Sequence, residues 1–285
     1  MTPALLLLAM SAPPEVPTEL WQVAPGEARV WTAPKQPVER ARAVVLVHGL
    51  QVHPLRSSKV TKPELRPWQQ PKSILVSALA KDADVFAFSY GQTTTVDEVA
   101  RAPGLRDAVA NLRKAGYKEL VLVGHSAGGV LVRVFAEENP TAGVAKAISV
   151  AAPFDGAKVA TYGIGYPKVQ APFVKSLAPD ARIAPSGTNR LAPGNDTQFA
   201  CVVCKLKRGD TDGVVSTRSQ WPEDLQKLGI PIVVAPVAHT DAMQDAATTK
   251  LIHALATEKI TRWSADEVET ARRLLFGEPD PKREK

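Results

Sequence analysis

Short strand-like runs, some of them wholly apolar, recur along the chain and alternate with stretches where apolar residues return every three or four positions. The runs are 43–47 (Ala-Val-Val-Leu-Val), 84–89, 120–123 (Leu-Val-Leu-Val), 144–151, 198–206 and 232–235. A run that is apolar on both sides of the pleat predicts a strand buried on both faces, as parallel sheets contain. Helices are predicted between them. One follows Ser73 and buries Ile74, Leu75, Ala78 and Leu79. Another spans 103–115, buries Leu105, Val109 and Leu112, and stops at Gly116. A third spans 127–138, with Val130, Leu131, Val134 and Phe135 on one face, and ends at Asn139-Pro140. Two more are expected at 242–257 and at 267–276, the latter entered through Ser264. This alternation predicts an α/β fold: a mostly parallel sheet covered by helices on both faces.

Other stretches break the pattern. Residues 13–37 are proline-rich and predict edge strands near 21–23 and 28–31. Residues 51–71 carry Pro54, Pro63 and Pro67, so a long loop without regular structure is expected. Residues 154–196 read as an insertion rich in Gly, Pro and apolar residues, forming a small cap. Within it Tyr162, Ile164, Tyr166, Val169, Phe173, Val174 and Leu177 line a substrate pocket or form the cap's own core. Residues 13–276 are expected to form one domain, and 277–285 a disordered charged tail. The segment 1–12 holds Ala-Leu-Leu-Leu-Leu-Ala-Met, too short to span a bilayer. It reads as a signal-peptide core without a basic n-region, which predicts export; the alternative is a cytoplasmic protein.

Composition changes this picture little. Of 285 residues, 45% are hydrophobic, enough for a real core. The net charge is +6, but the basic residues are scattered. The densest cluster, Lys205-Leu206-Lys207-Arg208, has no interleaved aromatics, so no nucleic-acid partner is expected. Transient contact with a membrane or lipid surface is a further expectation. The two cysteines, Cys201 and Cys204, lie three apart on one strand and so point to opposite faces, which argues against a disulfide. With no second Cys or His pair nearby, no metal and no cofactor are expected.

The candidate chemistry starts at Gly124-His125-Ser126-Ala127-Gly128, set between a strand and a helix. A G-x-S-x-G in that context is the turn that lifts a serine hydroxyl clear of a sheet. Gly124 and Gly128 answer the close approach of strand and helix. A serine needs a base, and the base a third group to orient it. Such groups gather at the carboxyl ends of parallel strands. Of five histidines, His239 lies in a loop just beyond the last strand and is the expected base. His48 sits at a loop start, His53 in a loop, His253 in mid-helix, and His125 in the elbow facing away from the serine. Two carboxylates compete for the acid, Asp210 and Asp212; Gly213 lets the loop turn tightly, which favours Asp212. The oxyanion donors are expected to be the N–H groups of Ala127 and of Leu50, the latter after His48-Gly49.

With these motifs the chain resembles the α/β-hydrolase superfamily, and most closely bacterial triacylglycerol lipases and esterases. The resemblance covers about residues 43–257 and rests on Val47-His48-Gly49-Leu50, Gly124–Gly128, Ala151-Ala152-Pro153-Phe154-Asp155-Gly156, Asp212-Gly213-Val214-Val215 and His239-Thr240-Asp241. It implies an α/β-hydrolase fold, a triad of Ser126, Asp212 and His239, and cleavage of small-molecule or lipid esters through an acyl-enzyme. Thioester or amide hydrolysis on the same triad, or a non-catalytic binding module, are the alternatives. Some such lipases hold a structural calcium ion, here through Asp241 and an upstream Asp; Asp196 is the nearest candidate, at an unconvincing spacing. Helix capping or a loop hydrogen bond is the expected role of Asp241.

Overall fold

The computed structural model describes residues 16–34, 38–52, 57–163, 165–182, 191 and 195–277. The 1–12 segment, the tail beyond 277, His53, Ile164 and most of 183–194 lie outside the described residues. Eight strands form one sheet: β1 (Thr18–Ala24), β2 (Arg29–Val30), β3 (Arg42–Val47), β4 (Asp84–Tyr90), β5 (Glu119–His125), β6 (Val144–Val150), β7 (Gln198–Cys204) and β8 (Ile232–Ala235). Their order is β2-β1-β4-β3-β5-β6-β7-β8. β1 is antiparallel to β2 and β4, and β3 to β8 are parallel. The chain leaves β3 towards β4, then returns to the other side of β3 as β5 and winds outward. The winding therefore reverses between β3 and β5, where Val47 pairs with Gly124. A crevice at such a reversal is where ligands bind in open α/β sheets.

Successive residues of each parallel strand enter different cores. Ala43, Val45 and Val47 of β3 join Phe86, Phe88, Leu120, Leu122 and Phe199 under the helices Val96–Arg101, Pro103–Lys114 and Ala127–Glu138. Val44 and Leu46 join Val85, Val121, Val123, Ile148 and Val202 under Ile74–Leu79 and Ala246–Thr257. Each fully buried Val, Leu or Phe contributes about 1.5–3 kcal/mol, so both faces hold the strands in register. The helix Ala127–Glu138 is apolar nearly all round, as a helix enclosed between sheet and neighbouring helices must be. Cys201 and Cys204 are free and buried, one in each core.

Several local expectations change. The loop over 51–71 contains short helical turns, Ser57–Val60 between Pro54 and Pro63, and Pro67–Gln69, where Pro67 is tolerated at the first helical position. Ile74 is exposed and Val76 is buried in its place. Helix Val96–Arg101 has a capping box, in which Thr95 accepts from the Glu98 N–H and Glu98 accepts from the Thr95 N–H, a signature overlooked in the sequence. The helix expected from 242 begins at Ala246, because Asp245 caps it by accepting the Thr248 N–H at 2.7 Å. Among the described residues no helix is long and apolar enough to cross a membrane.

Candidate active site

β5 runs straight into Ser126, which has φ 55° and ψ −126°. That left-handed backbone costs a non-glycine residue roughly 1–3 kcal/mol, and its surroundings hold it there. The Ser126 N–H donates to the Val150 carbonyl at 2.8 Å, and the Ser126 carbonyl accepts the Gly129 N–H at 2.9 Å. A Cβ on Gly124 would collide with the Gly128 carbonyl, and one on Gly128 with the Val47 and His48 carbonyls. The elbow is thus pressed against the helix behind it and against the end of β3 beside it. Gly49 is the third close approach: a Cβ there would lie 2.6 Å from Ser126 Cβ.

His239 follows β8 and Asp212 lies in the loop after β7. The structure brings both to Ser126. His239 Nε2 is 3.0 Å from Ser126 Oγ, and His239 Nδ1 is 2.7 Å from Asp212 Oδ2. An ionised carboxylate only accepts, so the proton sits on Nδ1 and the Nε2 lone pair faces the serine hydroxyl. Asp212 is 1% exposed, and its carboxylate is fully engaged. Oδ1 accepts the N–H groups of Val214 at 2.9 Å and Val215 at 2.7 Å, and Oδ2 accepts Gln220 Nε2 at 3.2 Å. The His239 N–H also donates to the Asp212 carbonyl at 3.0 Å. Asp210 is exposed, 3.4 Å from Lys205 Nζ, and its carbonyl accepts the Thr217 N–H; it serves the turn.

Gln220 and His125 are two participants that sequence reasoning missed. Gln220 is buried and ties the acid loop to the end of β7. It donates to the Cys204 carbonyl at 2.9 Å and accepts the Cys204 N–H at 2.7 Å. Its signal was faint: the helix Thr217–Gln220 is a single turn, capped by Ser216. His125 does not face away from the site. Its ring centroid lies 5.0 Å from that of His239, and its Nε2–H donates to the His239 carbonyl at 3.1 Å. Burial first, then the neighbouring His239, push the His125 imidazole down to about 3, so it stays neutral. His253 instead pairs with Asp82 at 2.7 Å on the helix Ala246–Thr257.

The loop after β3 is held by its carbonyls. The His48 carbonyl accepts the Tyr90 hydroxyl at 2.6 Å. The Gly49 carbonyl accepts His48 Nδ1–H at 2.8 Å and Gln92 Nε2 at 2.9 Å. The Gln51 carbonyl accepts Gln170 Nε2 at 2.7 Å, and the Gln51 N–H donates to Gln92 Oε1 at 2.9 Å. Gln51, Gln92 and Gln170 are completely buried. Burial pushes His48 down to about 4, so its ring is neutral and can both donate and accept. The N–H groups of Leu50 and Ala127 have no hydrogen-bond partner among the described residues. That of Ala127 is free because it opens a helix, whose dipole favours negative charge there.

Above Ser126 lies a cavity of about 500 Å³, walled mainly by apolar residues including Leu50, Trp68, Pro153, Ala160, Tyr166, Leu177 and Val215. The insertion residues divide between their two expected roles. Tyr166 and Leu177 line the cavity, and Leu177 also packs in the core with Phe173 and Val174. Tyr162 and Val169 are exposed. Asp241 accepts a weak bond from Thr240 Oγ1 at 3.3 Å, and Asp245 caps the following helix. Among the described residues no group of three or more His, Cys, Asp or Glu is placed to hold a metal ion.

Comparison with known proteins gives the fold a family. The chain is similar to a lipase from Bacillus licheniformis in its mature form, at 15% identity and TM-score 0.58, over 79% of this chain and 95% of that one. It is similar to phospholipase PlaB from Legionella pneumophila, at 15% identity and TM-score 0.55, over 83% of this chain and 63% of that one. An esterase from Rhodococcus aligns at 16% identity and TM-score 0.50, over 76% of this chain and 91% of that one. At such identities the likeness concerns the fold. No curated protein matches in sequence. Residues 44–281 match the Alpha/beta hydrolase family, which takes in all but the first two residues of the parallel sheet and every strand end around Ser126, and the chain belongs to that family.

Proposed function

We propose that this chain is a serine hydrolase that cleaves carboxylic esters through an acyl-enzyme. The observation that carries the reading is the unbroken hydrogen-bond line from Ser126 Oγ through His239 to Asp212, at 3.0 and 2.7 Å. Ser126 Oγ attacks the ester carbonyl carbon while His239 Nε2 takes the hydroxyl proton. The Asp212 carboxylate keeps the proton on Nδ1 and stabilises the imidazolium that forms. The carbonyl oxygen, now an anion, is received by the N–H groups of Leu50 and Ala127, which spend nothing on other partners. His239 then protonates the leaving alcohol oxygen as the C–O bond breaks. Water attacks the acyl-serine by the same steps in reverse, releasing the acid and restoring Ser126.

The apolar cavity suits an acyl chain, which makes lipid-like esters reasonable substrates. The test is turnover of a p-nitrophenyl ester together with labelling by a fluorophosphonate probe. Ser126→Ala is expected to lose both, with kcat down by about 10⁶-fold and circular dichroism unchanged. Wild-type turnover in that variant would rule the mechanism out, and a folded wild-type protein that takes no label at Ser126 would favour a binding module.

A further inference from the structure

Among the described residues, the lining of the cavity above Ser126 is apolar apart from Ser126, its neighbouring histidines, a few neutral polar side chains and one charge, Arg66. No carboxylate lines it among the described residues. Arg66 has no ion-pair partner among the described residues, whereas its neighbour Glu64 is held by Lys59 Nζ at 2.6 Å. Asp212 is turned away from the cavity and fully engaged. Arg66 is partly buried against these apolar walls, and an anion bound there would regain for it the charge-assisted hydrogen bonds that no described residue supplies.

Its main chain is also fixed in advance. The Arg66 N–H donates to Gln69 Oε1 at 2.9 Å, and Gln69 Nε2 donates to the Leu46 carbonyl of β3 at 2.9 Å, with Gln69 fully buried. Arg66 is therefore anchored to the same strand that carries the Gly49–Leu50 loop. Its charge is felt within the site, where it helps lower both His48 and His125. Gln244, also on the cavity wall, adds a neutral amide.

We infer that Arg66 is a specificity residue: the site selects esters that carry an anionic group, a carboxylate or a phosphate, within reach of its guanidinium. The inference rests on the ester-hydrolase reading for its reaction but not for its binding site. A carboxylate or phosphate would take a charge-assisted, fork-like pair of N–H bonds from Arg66, while the acyl portion occupies the apolar wall.

Two measurements test it. The first is the ratio of kcat/KM for p-nitrophenyl hydrogen glutarate over p-nitrophenyl methyl glutarate, which differ in one charge. The wild-type ratio is expected to be about tenfold, to fall near unity in Arg66→Gln, and to recover in part in Arg66→Lys. It should also shrink as salt is added, since the arginine is partly exposed. A wild-type ratio near one, or the same ratio in Arg66→Gln, overturns the inference. The second is calorimetric binding of hexanoate and of hexyl phosphate to wild type and Arg66→Gln. Weakening of about tenfold for either anion supports the site, the more affected one naming the group it takes, and equal affinities for both overturn it. If neither ester is turned over and Ser126 takes no fluorophosphonate, the hydrolase reading falls, while the binding data still judge Arg66.

Discussion

The floor and the roof of the cavity are built differently. On the floor the candidate groups lie in loops that follow strand ends, and most of their supporting hydrogen bonds are made to main chain or to buried side chains. The Asp212 carboxylate alone receives four hydrogen bonds, and the carbonyls of His48, Gly49 and Gln51 are each claimed by a buried side chain. The roof is the insertion, whose helix Lys158–Tyr162 lines the cavity with Tyr166 and Leu177, while Phe173 and Val174 of the helix Ala171–Lys175 pack into the core below. Gln170 reaches the Gln51 carbonyl, Ser176 Oγ accepts the Val96 N–H at 3.0 Å, and Arg182 pairs with Asp97 at 2.6 Å. The difference teaches where precision matters. Bond-making groups need positions good to fractions of an ångström, and strand ends supply that. An acyl chain needs only apolar volume, and short helices suffice.

The largest effect should come from breaking the floor at the acid. Asp212→Asn is expected to lower kcat by about 10⁴-fold, because an amide no longer enforces the Nδ1–H tautomer. Asp210→Asn should leave the rate near wild type. Steady-state kinetics of the two variants decides between the carboxylates, and a collapse in the Asp210 variant alone would reverse the assignment.

Acid should loosen the floor before the roof. His48 and His125 are held neutral, with protonation pushed from 6.5 down to about 4 and about 3. The unfolded chain therefore binds more protons between those values, so their share of stability is complete above about pH 6.5 and drains away as pH falls towards 4 and 3. The loss is expected to be on the order of a few kcal/mol. Urea unfolding at pH 7 and pH 4.5 measures it, and His48→Gln should flatten the slope. An unchanged slope in that variant would place the acid sensitivity elsewhere.

Gln170 joins the two regions, and removing it should show a smaller loss. Gln170→Leu strips a donor from the Gln51 carbonyl and from Gln92 Oε1, both buried. Stability should drop by about 1–3 kcal/mol. Turnover should drop by about tenfold, less than the 10²–10³ expected when an oxyanion donor is itself deleted. A fall in kcat larger than the rise in KM is the signature of a disturbed Leu50 N–H; a pure KM effect would make Gln170 part of the roof only.

The smallest effect belongs to the roof. Leu177→Phe narrows the cavity and should shift preference towards shorter acyl chains by roughly threefold, below the tenfold or more of a tight apolar pocket. The rim is open, since Val52 and Val159 line the cavity and are about half exposed. A C2 to C16 ester series read on both proteins checks this, and identical profiles would mean that Leu177 serves the core alone.

Much of the floor was legible in the sequence because local chemistry specified it. The apolar runs at 43–47 and 120–123, each followed by a glycine-containing turn, read as strands buried on both faces, and the structure makes them so. A serine flanked by glycines between a strand and a helix needs those glycines, as the Gly124–Gly128 and Gly128–Val47 approaches demonstrate. His239 and Asp212 could be narrowed down by position after a strand alone. The roof was less legible, because its helices have four or five residues, too short to show a period. Tertiary structure alone decided that His125 turns towards His239, that Gln220 grips the acid loop, and that Gln51, Gln92 and Gln170 meet though far apart in the chain. Strand runs and elbow glycines carry a local sequence pattern, even where, as at Gly128 against Val47, the contact they answer is distant in the chain. A buried amide or imidazole takes its role from whichever donors and acceptors packing delivers to it, and no spacing in the sequence encodes that meeting.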